Sequence, residues 1–263
     1  MRMREIVVLT AGLLTLTLPL LATLESRALA QTGNPSLLNR GRIRTKPKSG
    51  PSNSPTASTS VRPSRRQLTV SMGVSSLSYT QTGVTPFGAI LITPKLDFRM
   101  PLGASRWSIG ANAFGTALSL SSEFPAGTTG VRFIGVNWRL GYRLTNPGPW
   151  VAEVAGGTYF DTMVTSGAQF GYQNLVGPQL LLRVGRALSS SLLTGYGKYA
   201  LMSSGFSFAG GSSQMAFGLS WAKKVGGGQL AVLGDFAQLS YLDGDNSVEV
   251  NTLSLGTGYI FSF

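Results

Sequence analysis

Few residues in this chain of 263 could do covalent chemistry. It holds no cysteine and no histidine. That removes a thiol nucleophile, a thiolate metal site, a disulfide framework and an imidazole general base. A Ser-Lys pair or a carboxylate dyad is what remains. Asp243 and Asp245, two apart in YLDGDN, are the most dyad-like pair. An Asp-Gly sequence is also what a solvated turn needs, and two acids at such spacing could hold a divalent cation loosely. The turn is the better account of them. No catalytic, cofactor or metal-ligating residue is assigned, and the chain is expected not to be an enzyme.

The charged residues say more. The net charge is +12, from 22 basic and 10 acidic residues. Arg40, Arg42, Arg44, Lys46, Lys48, Arg62, Arg65 and Arg66 fall within residues 31–66, which hold no acid, so the basicity is concentrated there. This stretch is rich in Pro, Ser and Thr and poor in large apolar residues. It cannot bury enough surface to fold alone and is expected to be a disordered extension. Residues 1–30 precede it: a basic start, an apolar run over Ile6–Leu24, then Ala28-Leu29-Ala30. That order describes a signal peptide cleaved after Ala30. An exported chain meets little nucleic acid, so none is expected as a partner. An anionic cell-wall polymer or an acidic periplasmic protein suits the basic extension better, as does the domain's own mouth.

Residues 67–263 form the remaining domain. No stretch shows helical periodicity, and apolar residues recur at every second position, as in half-buried strands. In residues 134–144 the even set is Ile134, Val136, Trp138, Leu140, Tyr142 and Leu144, facing away from Asn137, Arg139 and Arg143. In residues 90–100 Ile90, Ile92, Leu96, Phe98 and Met100 face away from Lys95, Asp97 and Arg99. Ten strands are expected at about 67–79, 88–100, 106–120, 131–144, 150–162, 172–185, 191–202, 213–223, 229–241 and 248–263. An eight-strand count would turn two of these into loops. Connections after even-numbered strands are short, and those after odd-numbered strands include the longer SSEFPAG, SGAQFGYQ and SSGFSFAGGS. Pro94 and Pro178 each remove one ladder donor from a strand.

Trp107, Trp150 and Trp221 lie beside short turns, while Tyr79, Phe160, Tyr172, Tyr199 and Tyr241 lie beside the other ends. Two aromatic girdles at the two surfaces of a membrane would look like this. The final strand alternates Leu253, Leu255, Thr257, Tyr259, Phe261 and Phe263 against small residues. It resembles the terminal strand of Gram-negative outer-membrane β-barrel proteins, small barrels that end in Phe.

The resemblance covers residues 67–263 and implies an all-β, up-and-down antiparallel transmembrane barrel. Both ends of the domain, with the extension, would be periplasmic. Leu255, Tyr259, Phe261 and Phe263 would be the signal read by the barrel-assembly machinery. Outer-membrane lipid and lipopolysaccharide would be the surroundings. Enzymes known in this architecture use histidine, which this chain lacks. Lys95, Asp97, Arg99, Arg139, Arg143 and Arg183 are the expected lumen-lining residues, joined by Glu153, Asp161, Lys198 and Asp235. Two roles follow: an envelope-structure or binding barrel whose lumen is narrow or closed by charged side chains, or a narrow anion-preferring porin plugged by the extension. Inward glycines and serines would widen the lumen.

Overall fold

The computed structural model describes residues 66–122, 124–128, 130–166, 170–204 and 212–263. The expected signal peptide and almost all of the basic extension lie outside these. Twelve strand segments are β1 (Gln67–Gln81), β2 (Val84–Pro101), β3 (Trp107–Gly115), β4 (Leu118–Ser122), β5 (Gly130–Arg143) and β6 (Trp150–Ser166), then β7 (Leu175–Ala187), β8 (Ser191–Leu201), β9 (Ser203–Ser204), β10 (Ser213–Val225), β11 (Gly228–Asp243) and β12 (Asn246–Ser262). They make ten staves, because β3 and β4 share one stave and β8 and β9 another. Every neighbouring pair is antiparallel, and β1 pairs with both β2 and β12, so the sheet closes on itself.

The seam runs to the last residue. Phe263 N donates to Arg66 O, and Arg66 N donates to Phe263 O. Closure leaves no free edge, which is the condition for a sheet to cross hydrocarbon.

The two breaks in the staves have one cause. Ala117 N donates to Ile92 O, so the even residues of this part of β2 aim their backbone groups at the β3/β4 stave. Pro94 has no N–H to give there. The ladder lapses between Ile92, which faces β4, and Lys95, which faces β3. Pro178 does the same on β7, opposite the gap between β8 and β9. Each proline is thus accommodated by an interruption in its partner stave.

The outward face is apolar all round. Leu219 is 67% exposed, Met72 60%, Leu180 59% and Trp138 57%, with Phe217 and Leu253 close behind. A soluble protein does not display such a surface; a barrel bathed in lipid requires it. Trp107, Trp150 and Trp221 are exposed on this face near the end that carries both termini, as a girdle requires. At the far end the expectation fails. Tyr199 is exposed and Phe160 has outward parity, but Tyr79, Tyr172 and Tyr241 are buried inside. Parity explains Tyr79, which shares the inward register of Ser75 and Leu77. Two of the far-end connections are also shorter than expected: residues 82–83 and 244–245 are two-residue turns with Gly83 and Gly244 at positive φ.

Candidate functional site

The lumen is the candidate site, and it has two layers. In the half next to the termini, Lys95, Asp97, Arg99, Arg139, Arg143 and Arg183 line a cavity of about 380 Å³, as do Asp161, Lys198 and Asp235. Lys95 Nζ donates to Asp235 Oδ2 at 2.6 Å, and Arg139 Nη2 donates to Asp97 Oδ2 at 2.7 Å. Arg99 pairs with Glu153, whose other oxygen accepts from Ser108 Oγ at 2.8 Å. Glu153 also lies in register between Arg143 on β5 and Arg183 on β7. One carboxylate therefore sits among three guanidinium groups.

Several of these contacts skip a stave, and glycine makes that possible. Arg139 on β5 reaches Asp97 on β2 across Gly110 of β3, where a Cβ would stand 2.9 Å from the guanidinium Nε. Glu153 on β6 reaches Ser108 across Gly141, where a Cβ would fall 2.2 Å from its Oε1. Tyr196 OH donates to Asp235 Oδ1 at 2.7 Å across Gly218, where a Cβ would meet both partners. The inward glycines do not widen the lumen as expected. They are the gaps into which longer side chains from neighbouring staves lie. Gly141→Leu should force Glu153 and Ser108 aside and cost about 1–3 kcal/mol, read as a lower urea midpoint by tryptophan fluorescence in lipid vesicles. An unchanged midpoint would mean that Glu153 moves freely and its bonds carry no stability.

The far half of the lumen is filled by hydrocarbon. Tyr79 stacks on Phe87 with ring centroids 4.8 Å apart. Phe170 meets both, at 5.6 and 5.5 Å, and Phe124 meets Phe87 at 5.7 Å. Phe124, Phe170 and Tyr172 come from the far-end loops and fold inward. Gln81 Oε1 accepts from Gly171 N at 3.0 Å, and Met163 N donates to Tyr172 O at 3.0 Å, which ties one loop to the wall. Leu77, Leu91, Val131, Leu175, Leu239 and Val250 complete the layer. At the boundary between the layers Tyr159 OH donates to Asp161 Oδ2 at 3.2 Å, and Gln214 Nε2 donates to Tyr159 OH at 3.2 Å. Lys198 Nζ lies 3.6 Å above the Tyr159 ring, a cation–π contact. The stopper was legible only in part: Leu77, Leu239 and Val250 have inward parity, but nothing in a loop sequence says that it folds into a lumen.

Asp243 ends β11 and Asp245 lies in the following two-residue turn. Leu255, Tyr259, Phe261 and Phe263 occupy the outward parity of the last stave, with Phe263 62% exposed. Tyr259 and Phe261 meet edge to face at 4.7 Å.

No protein-family model and no curated protein matches the sequence. Among solved structures the chain is similar to the outer-membrane protease OmpT from Escherichia coli, with a TM-score of 0.55 and 12% identity, covering 78% of this chain and 98% of that one. Neisserial surface protein A matches at a TM-score of 0.38 and 9% identity, covering 74% and 97%. OprG from Pseudomonas aeruginosa matches at 0.36 and 13%, covering 75% and 96%. At these identities the likeness is one of fold.

Proposed function

We propose, from the premise that this chain is by fold a Gram-negative outer-membrane β-barrel protein, that it serves the envelope as a closed, non-enzymatic barrel with a structural or binding role. The observation that carries this reading is the stopper in the far half of the lumen, where Tyr79, Tyr159, Met163, Leu175 and Val248 are each under 2% exposed. Among the described residues, a packed apolar layer of that kind opposes the passage of water and ions. Both termini belong on the periplasmic side in this reading. The extension there meets anionic cell-wall polymer or an acidic partner, and lipid and lipopolysaccharide surround the belt.

A role without catalysis is supported by the same residues. Six of the ten lumen charges are engaged in three ion pairs, and the chain has no imidazole or thiol to act on a substrate. OmpT is a protease; peptide hydrolysis here would need a base other than histidine.

A second reading is an anion-preferring pore. It draws on the excess of Lys95, Arg99, Arg139, Arg143, Arg183 and Lys198 over Asp97, Glu153, Asp161 and Asp235. Planar-bilayer recording of the purified barrel separates the two. Silence is expected with and without residues 31–66. A steady anion-selective current would establish the pore instead, and a current appearing only in the shortened form would make the extension its plug.

A further inference from the structure

Arg143 and Arg183 stand on either side of Glu153, one residue pair away on β5 and β7. Glu153 is already engaged by Arg99 and by Ser108. Among the described residues neither Arg143 nor Arg183 forms an ion pair, and Arg143 Nε is buried with no hydrogen-bond partner. Glu153 is the one carboxylate beside three guanidinium groups among the described residues, which leaves an excess of positive charge at this part of the wall. Residues 31–66 carry basic residues and no acid, so they cannot supply a counter-charge.

The wall that completes the cavity at this end has the opposite character. Leu192, Ala222 and Ala231 are adjacent in register across β8, β10 and β11. Leu233 stands one inward position further up, and Ile260 comes from β12. All five line the same cavity as the two arginines. Its lining starts at rim residues such as Gln67 and Pro101 and ends against the stopper, at Leu77, Leu91, Tyr172, Leu239 and Val250. The cavity therefore has a cationic side, an apolar side and a closed top. Its volume of about 380 Å³ falls in the range of small-molecule sites.

We infer that this cavity is a binding site for a small monoanionic amphiphile, a carboxylate head with a compact apolar body. The ligand's carboxylate takes the N–H groups of Arg143 and Arg183 that Glu153, held by Arg99 and Ser108, leaves open, and their forked geometry matches its two oxygens. The body lies on Leu192, Ala222, Ala231 and Leu233. The ligand enters and leaves by the end that carries the termini. This assignment rests on the closed-barrel reading, since a stopper is what makes the cavity a site and not a passage.

Isothermal titration of the mature barrel in phospholipid nanodiscs tests it, with 4-phenylbutyrate as probe and its neutral amide, 4-phenylbutanamide, as the matched comparison. One saturable carboxylate site per barrel is expected, with the amide bound at least tenfold more weakly. The double variant Arg143→Gln, Arg183→Gln should lose at least tenfold in carboxylate affinity while the amide is unaffected. Ala222→Phe should weaken both probes, and Lys224→Gln, outside the cavity, neither. The heat-modifiable band of a folded barrel in gel electrophoresis confirms that each variant is assembled. Equal binding of acid and amide by the wild type, or unchanged carboxylate binding by the folded double variant, overturns the assignment. Either result can occur with the barrel silent in planar bilayers, which would leave the closed-barrel reading standing. A steady current would overturn that reading by itself, and the dead-end site with it.

Discussion

Glu153→Gln is expected to lower the unfolding free energy of the barrel by about 3–5 kcal/mol, the cost of removing one partner from a buried ion pair. The glutamate is 3% exposed. Among the described residues it is the one acid facing Arg99, Arg143 and Arg183, and it also accepts a hydrogen bond from the Ser108 hydroxyl. Glutamine keeps the shape but supplies no charge, so three guanidinium groups would face one another with no carboxylate among them. Urea unfolding in lipid vesicles, followed by the fluorescence of the four tryptophans, gives the loss directly. A second substitution, Arg99→Met, should recover part of it, because the repulsion then involves two cations in place of three. A Glu153→Gln barrel as stable as the parent, or a double variant no better than the single, would show that solvent in the cavity already screens these charges.

The stopper yields the other large effect. Tyr159→Ala is expected to cost about 3–5 kcal/mol, as for other large buried aromatics cut to alanine. Its ring lies beneath Lys198 Nζ and parallel to Phe114 at 6.5 Å, and its hydroxyl links Asp161 to Gln214. Truncation would open a void at the boundary of the two layers and remove one hydrogen bond to Asp161 Oδ2, leaving that from Gln214 Nε2 at 3.4 Å. Extending the change to Tyr79, Tyr159 and Tyr172, each replaced by Ser, should convert a silent barrel into one with steady conductance. Water would then have polar partners through the former apolar layer. The barrel's closed wall of backbone bonds does not depend on these rings, so the triple variant should still assemble, as judged by heat-modifiable migration. A folded triple variant that stays silent would place the barrier to ions elsewhere, in the ion-paired layer around Arg139 and Lys95.

These two effects come from features of different legibility. Period-two alternation assigned Arg139, Arg143, Lys95, Asp97 and Arg99 to one face and Trp138, Leu140 and Leu96 to the other, and their places in the barrel agree with that assignment. The first stave begins and the last one ends within a residue of where the alternation does, while β1, β2, β6, β11 and β12 run further toward the far end than expected. Burial in lipid explains why this worked. A strand between hydrocarbon and lumen must alternate over its whole length, and the last strand must do so to its final residue because it closes the seam. Pro94 and Pro178 were legible as costs, while the breaks opposite them were not.

Alternation states which face a residue occupies but not its height, nor which residue lies opposite. Height depends on the stagger accumulated around a closed sheet, a property of all ten staves together. The pairing of Lys95 with Asp235, on sequence positions 140 apart, could not be read from either strand. Nor could the crossing of Gly110, Gly141 and Gly218 by side chains from the next stave, and glycine on an inward face therefore looked like empty space. Phe124, Phe170 and Tyr172 sit in loops, where no period constrains direction, so only the folded barrel decided that they turn inward. The sequence by itself determined a closed lipid-facing barrel with charges inside. The tertiary structure decided that the lumen is filled, because filling depends on contacts between staves and loops whose relative heights exist only once the ring is closed.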